Sequence, residues 1–305
     1  MTISAQAVKE LREMTGAGMM DCKKALQEVD GDLAKAAEYL QIKGLAKAAK
    51  KADRVAAEGL VVAAVAEDGL SAALVEINCE TDFVARNEDF QAFCDQLAQH
   101  AVANGIDTLD ALLASKLGSS TVEELRQARV ATIGENISIR RVQRVAVEGT
   151  GLVGEYVHNG NIGVLVALTT ASPVAGNAAI GELARDVAMH AAAMNPLYAV
   201  ESEISDEDVA DQTRIETEKA MESGKPREIA EKMVTGRIQK WKKEICLATQ
   251  PFVKNPDVTV AQEIQRVSKE AGNTAQLTAF VRFVRGEGIE KKESNLAEEV
   301  AAALK

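Results

Sequence analysis

Apolar positions in the first 45 residues recur at helical spacing and fall into three short groups. Val8, Leu11 and Met14 make the first. Cys22, Ala25, Leu26 and Val29 make the second, and Leu33, Ala36, Ala37 and Leu40 make the third. Asp32 stands directly before the third group, where a helix N-cap is needed. Helices this short bury little among themselves, so the module reads as a presented surface. The connection Thr15-Gly16-Ala17-Gly18-Met19-Met20-Asp21 joins two glycines to two methionines. Methionine suits both an irregular small core and an adaptable binding surface, and the pattern leaves both readings open. Residues 44–54 continue as a basic, helical linker carrying Lys47, Lys50, Lys51 and Arg54.

From residue 60 the pattern changes to short, mainly apolar runs. Leu60–Ala66 and Ala72–Ile77 flank Glu67-Asp68-Gly69, and Leu152–Val157 and Ile162–Leu168 flank His158-Asn159-Gly160. Each pair predicts a hairpin followed by a helix. Arg54-Val55-Ala56-Ala57-Glu58-Gly59 returns 90 residues later as Arg144-Val145-Ala146-Val147-Glu148-Gly149. Leu97-Ala98-Gln99-His100-Ala101-Val102-Ala103 returns at the same spacing as Val187-Ala188-Met189-His190-Ala191-Ala192-Ala193. A hairpin with covering helices, used twice, predicts an α+β fold with antiparallel sheets. A helical stretch is expected from about Leu109 to Ile133 between the copies. The alternating segment 134–142 then leads into the second copy.

Residues 203–246 interrupt that copy with charged helical sequence. Ser205-Asp206-Glu207-Asp208 has the form of a capping box with acids in the first turn. A turn at Ser223-Gly224-Lys225-Pro226 separates this helix from one carrying Ile229, Met233 and Trp241. The expectation is an antiparallel αα-hairpin that projects from the body and offers a surface for homodimerisation. A helix over 260–271, a strand at Leu277–Val284 returning to the second sheet, and an amphipathic segment at Ser294–Leu304 complete the reading.

Composition narrows the chemistry. The 305 residues carry a net charge of −11, which argues against broad phosphate binding and for protein partners. The four cysteines are scattered without a C-x-x-C pair, and the N-terminus has no secretory pattern, which together point to a reducing cytoplasm. No apolar run approaches the ~20 residues of a membrane span. No phosphate-binding G-x-x-x-x-G-K-[ST] loop is present. His100 and His190 read as packed helix residues, and His158 as the tip of a turn. Asp82 and Glu80 lack the converging oxygens of a cation loop, so neither metal nor cofactor is expected.

One corner resists this reading. The strand ending Glu76-Ile77-Asn78-Cys79 runs into Glu80-Thr81-Asp82-Phe83-Val84 just before a helix, and Phe83 is one of only six phenylalanines. Either Asp82 caps a helix with Phe83 tucked beneath it, or the acid and ring are presented outward. A thiol hydrolase at Cys79 and an RNA adaptor using Lys47, Lys50, Lys51 and Arg54 are the competing functions.

Two stretches carry a resemblance. Leu11-Arg12-Glu13-Met14-Thr15-Gly16-Ala17-Gly18-Met19-Met20-Asp21-Cys22-Lys23-Lys24-Ala25-Leu26 and the segment Glu76 to Arg86, in this order, are similar to the bacterial elongation factor Ts family. The similarity extends through Ile133-Gly134-Glu135-Asn136-Ile137, Ser223-Gly224-Lys225-Pro226 and Gln250-Pro251-Phe252-Val253. It implies a non-enzymatic guanine-nucleotide exchange factor for elongation factor Tu. It also implies a ubiquitin-associated-like unit with its basic linker (1–53) and two related core subdomains (54–143; 144–202 with 247–285). A helical hairpin (203–246) and a C-terminal module (286–305) would complete the chain. Thr81, Asp82, Phe83 and Val84 would then dislodge Mg²⁺ from the partner. Arg12, Met19 and Met20 would touch its GTPase domain, and His158 another of its domains. Glu80, where the family also uses Gln, and the longer loop 169–181 depart from the pattern.

Overall fold

Ser4, Gly16 and Asp32 set the boundaries of the N-terminal helices in the computed structural model, which describes residues 3–174, 177–222 and 227–290. The turn Ser223–Pro226 and the segment Ser294–Leu304 lie outside the described residues. The chain divides into two compact units. The first takes the described residues of 1–62, 75–142 and 284–305, and the second those of 63–74 and 143–283.

Helix α1 (Ala5–Thr15) starts where Ser4 Oγ accepts the Ala7 N–H at 3.1 Å and ends at a left-handed Gly16. Helix α2 (Met19–Glu28) follows, and Asp32 opens α3 (Leu33–Ala49) by accepting the Lys35 N–H at 3.0 Å. Such caps each stabilise a helix by about 1 kcal/mol. Val8, Leu11, Cys22, Ala25, Leu26 and Ala36 form the small core. Met14 does not join it: the core closes on Leu11, and Met14, at the end of α1, is 60% exposed. The third helix is also longer than its apolar group, absorbs the start of the basic linker, and packs along α7 (Val122–Ile133).

Strands β1 (Glu58–Val65) and β2 (Ser71–Cys79) lead to α4 (Asp82–Ala85), α5 (Glu88–Ala103) and α6 (Leu109–Ala114). The expected single helix over 109–133 is broken. A two-residue ladder, β3 (Lys116–Leu117) with β4 (Ser120–Thr121), separates α6 from α7. Thr121 is a stronger start signal than the apolar period suggested, because it forms a capping box with Glu124. Strand β5 (Ser138–Ala146) completes a sheet of order β1-β2-β5. Residues Arg144–Ala146 are therefore strand, whereas their sequence counterparts Arg54–Ala56 precede β1 without regular structure.

The second hairpin is β6 (Gly151–His158) with β7 (Ile162–Thr170), antiparallel from Gly151↔Thr169 to His158↔Ile162. Asn159 and Gly160 turn it with φ of 51° and 68°, the doubly positive turn that matches strand twist. Helix α8 (Ala178–Met194) covers this hairpin. Helices α9 (Asp206–Glu222) and α10 (Arg227–Ile245) form the predicted antiparallel pair around Ala220, Val234 and Ile238, with Val209 and Trp241 beside them. Ile229 falls off this stripe and is 51% exposed. Ser205 Oγ accepts the Asp208 N–H at 3.0 Å, while the Asp208 carboxylate takes the Ser205 and Tyr198 hydroxyls instead of the cap backbone.

A short ladder, β8 (Pro251–Phe252) with β9 (Asn255–Thr259), then α11 (Val260–Ala271) and β10 (Ala275–Val284), close the second sheet in the order β10-β7-β6. Central position explains the two mainly apolar runs. Both β2 and β7 have a strand on each side, and buried Val164, Val166 and Leu168 of β7 share a core with α8 and α11. The repeat runs further than the sequence showed. Thr121 and Thr259 both carry capping boxes, both open twelve-residue helices, and both helices end on a left-handed glycine, Gly134 or Gly272. Their spacing is 138 residues instead of 90, because the αα-hairpin lies between. Near the start of the first strand of each hairpin, Gly59 and Gly151 occupy like places, two residues beyond the sequence match of Gly59 with Gly149. A Cβ would lie 2.1 Å from Ile77 O at the first and 2.2 Å from Leu168 O at the second, so neither position has room for a side chain. Among the described residues no helix is long and apolar enough to cross a membrane.

Candidate functional site

The corner after β2 resolves the choice the sequence left open. Thr81, not Asp82, is the N-cap of α4, its hydroxyl accepting the Val84 N–H at 3.4 Å. Asp82 occupies the first turn and pairs with Arg86 at 2.9 Å. Both partners are substantially exposed, so the pair stabilises by about 0.2–1 kcal/mol and is easily exchanged for another contact. Phe83 does not tuck beneath the helix: it is 82% exposed. Val84 is half-buried and Ala85 buried, so the turn has an inner face and sends the ring outward. Asn87 then starts α5 by accepting the Phe90 N–H at 3.1 Å, and Phe90 and Phe93 sit in the core. Burying a phenylalanine is worth about 1.5–3 kcal/mol. The chain spends that gain at Phe90 and Phe93 and leaves it unspent at Phe83.

A single turn of helix does not hold itself in water, and here it is held from outside. The Glu135 carboxylate accepts the Thr81 hydroxyl at 2.6 Å, the Thr81 N–H at 3.0 Å and the Glu80 N–H at 3.1 Å. Glu80 returns the contact by accepting the Asn136 N–H at 2.5 Å. The Asn136 side chain donates to the carbonyls of Arg54 and Ala52 at 2.8 and 3.2 Å, and Lys51 donates to Gly134 O. Sequence reading missed Glu135 and Asn136 as supports for the corner; a polar Gly-Glu-Asn break between α7 and β5 was the visible signal.

Arg12, Met19 and Met20 are exposed at the ends of α1 and α2, the two methionines by 60% and 75%. That rejects core filling for both. His158 is exposed at the tip of the β6–β7 hairpin, and its Nδ1 lies 3.0 Å from the Tyr156 hydroxyl. The four residues of the corner are contiguous, whereas Arg12 with Met19 and Met20, and His158, belong to separate elements.

The competing chemistries fare worse. Cys79 is fully buried, and burial followed by the Glu135 charge pushes its pKa up to about 12, so no thiolate nucleophile forms there. Lys47 is paired with Asp21 at 3.1 Å and Arg54 with Glu80 at 3.5 Å, while Lys51 binds Gly134. The linker's cations are turned largely to internal partners. His190, read as a packed residue, is buried against Gln250, while its counterpart His100 is half-exposed and bonded to Ser115. A groove of about 460 Å³ runs elsewhere, between the N-terminal helices and α7. Residues 81–84 do not line this groove, and Phe83 projects from the surface.

Comparisons with known proteins agree on one family. The family model described as "Elongation factor TS" matches residues 80–287. The chain is 51% identical over 303 residues to "Elongation factor Ts" of Clostridium perfringens, covering 98% of both chains. It is 50% identical over 305 residues to that of Clostridioides difficile, covering 99% of each, and 46% identical over 306 residues to that of a Nitratiruptor species, covering both completely.

Proposed function

The chain belongs to the elongation factor Ts family, and from that premise we propose that it is the guanine-nucleotide exchange factor for elongation factor Tu in translation elongation. It binds the GDP-bound GTPase, dislodges Mg²⁺, promotes GDP release, and leaves when GTP binds. The observation that carries this reading is Phe83, a large apolar ring held 82% exposed on a braced corner.

The physics needs no covalent step, and the protein is not an enzyme. Mg²⁺ bridges the nucleotide phosphates and the GTPase, so disturbing its surroundings weakens nucleotide binding. Phe83 enters the partner as a wedge and gains there the burial it lacks in the free chain. Asp82, released from Arg86, places a carboxylate near the ion's ligands, while Thr81 and Val84 hold the turn. Coupling between sites is reciprocal, so nucleotide weakens the hold of the factor as the factor weakens the hold of nucleotide. A differential of about 5.5 kcal/mol shifts a population from 1:99 to 99:1, which a wedge and a protein interface supply together.

Arg12, Met19 and Met20 serve as a second contact with the GTPase, and His158 as a third with another of its domains. The reading goes with the five-part organisation given by the resemblance, with a cytoplasmic location, and with the helical hairpin as a site of homodimerisation. Release of fluorescent GDP from elongation factor Tu tests it. Catalytic amounts of the chain accelerate release in the presence of Mg²⁺; an unchanged release rate overturns the reading.

A further inference from the structure

We propose that Glu135 is a positioning residue for exchange: its carboxylate, bound to Glu80 and Thr81, sets where Phe83 points. The inference rests on the exchange reading above and names the residue on which its geometry depends. Helix α4 is four residues long, too short to fix its own axis. Its far end is held by buried Ala85, whose carbonyl accepts from the Gln91 side chain at 3.4 Å, and its first residues are held by Glu135. Two consecutive backbone N–H groups, of Glu80 and Thr81, and the Thr81 hydroxyl converge on the two oxygens of Glu135 within 3.1 Å. Hydrogen bonds to an ionised acceptor are the short, strong and directional ones. The reverse bond, from Asn136 N–H to the Glu80 carboxylate, makes the clasp two-sided and opposes rotation of the turn.

The clasp also reaches a second partner-facing element. The loop Gly134-Glu135-Asn136 binds Lys51, Ala52 and Arg54, the residues that follow α3. The N-terminal helices and the Phe83 corner thus leave one loop as two anchored arms within the first unit. Loss of Glu135 leaves the exposed ring in place chemically and removes its aim.

Stopped-flow release of fluorescent GDP from elongation factor Tu, run over a range of factor concentrations, separates aim from binding. Glu135→Gln keeps the volume but loses the charge and one acceptor, and Glu135→Ala loses the clasp. The maximal release rate falls by about ten- to a hundredfold in Glu135→Ala, as expected when a working group is misplaced by about an ångström, while the half-saturating concentration changes by less than about twofold. In the Phe83→Ala background the Glu135 substitutions slow release no further, because residues that act as one unit are not additive. Hydrogen exchange at the amides of Glu80 and Thr81 rises in both variants. Wild-type maximal rates in Glu135→Ala, or equal slowing with and without Phe83, overturn the proposal. Should Glu135→Ala not fold, the same comparison is made with Glu135→Gln. If Phe83→Ala itself releases GDP at the wild-type rate, the wedge reading falls, and the positioning role with it.

Discussion

The Glu76 carboxylate, with no exposed side-chain surface, receives Arg141 Nε at 2.6 Å. Arg140 adds a contact at 3.0 Å and the Gly286 N–H one at 2.7 Å. Burial raises the pKa of this acid, but the donors, Gly286 first and then Arg141 and Arg140, outweigh it and hold it below its ordinary value. Removing the acid leaves two partly buried guanidinium groups without it. Glu76→Ala is expected to destabilise the protein by about 3–5 kcal/mol in urea unfolding at neutral pH; a loss under about 1 kcal/mol would contradict this. The folded pKa lies below the unfolded one, so this stability is complete above about pH 4.5 and is lost as pH falls through the folded value. Glu76→Gln removes that acid-side loss.

All four cysteines, Cys22, Cys79, Cys94 and Cys246, are free and buried, and burial raises the pKa of each. A thiol-specific chromogenic reagent therefore reacts slowly with the native chain at pH 8 and reaches four equivalents only in denaturant. Cys79→Ser leaves exchange unchanged. Rapid labelling of Cys79 in the native protein would revive the nucleophile reading.

The strands and most helices were legible because burial leaves a local mark. Ala72–Ile77, interrupted by the charged Glu76, and Ile162–Leu168 are apolar runs since β2 and β7 are central in their sheets. The αα-hairpin was legible from its charge, and α11 from its period. What local pattern cannot show is which side an apolar residue takes when a core is small. Met14 reads like Leu11, Met19 and Met20 stand between core and surface, and all three are exposed. Ladders of two residues, such as β3 with β4, have too few positions to produce a period. The corner was half legible. An aromatic in a polar turn could be noticed from its neighbours, but Glu135, which holds that turn, lies 54 residues beyond Thr81 and only the fold brings the two together.

Under the proposed exchange function, Asp82 and Phe83 would act through different physics, and experiment separates them. Phe83 is exposed in the free chain, so Phe83→Ala changes thermal stability by less than about 0.5 kcal/mol while slowing GDP release. Asp82→Asn loses an exposed pair with Arg86, at most about 1 kcal/mol. If the carboxylate acts on the surroundings of the ion, the defect of Asp82→Asn shrinks when Mg²⁺ is chelated, and that of Phe83→Ala persists. Measured release rates with Mg²⁺ and with EDTA decide this; equal defects of Asp82→Asn in the two conditions would remove the charge role.

His190 gives the fold a second pH dependence, nearer neutrality. Its ring is fully buried, with Nδ1 accepting the Val253 N–H at 3.1 Å and Nε2 lying 2.9 Å from Gln250 Oε1. The backbone donor makes Nδ1 the acceptor, so Nε2 carries the proton and donates to Gln250. A second proton has no acceptor to meet, and burial lowers the pKa despite the opposing Gln250 bond. The unfolded chain binds that proton near pH 6.5 and the folded chain resists it. Stability is thus complete above about pH 6.5 and falls as pH drops, by up to about 1.4 kcal/mol per unit, until the folded ring also titrates. Urea unfolding at half-unit steps from pH 7.5 to 5 measures the slope. His190→Gln is less stable throughout, because the Val253 N–H loses its acceptor, yet its slope across this range is flatter. A slope as steep as that of the native protein would place the titration on some other group.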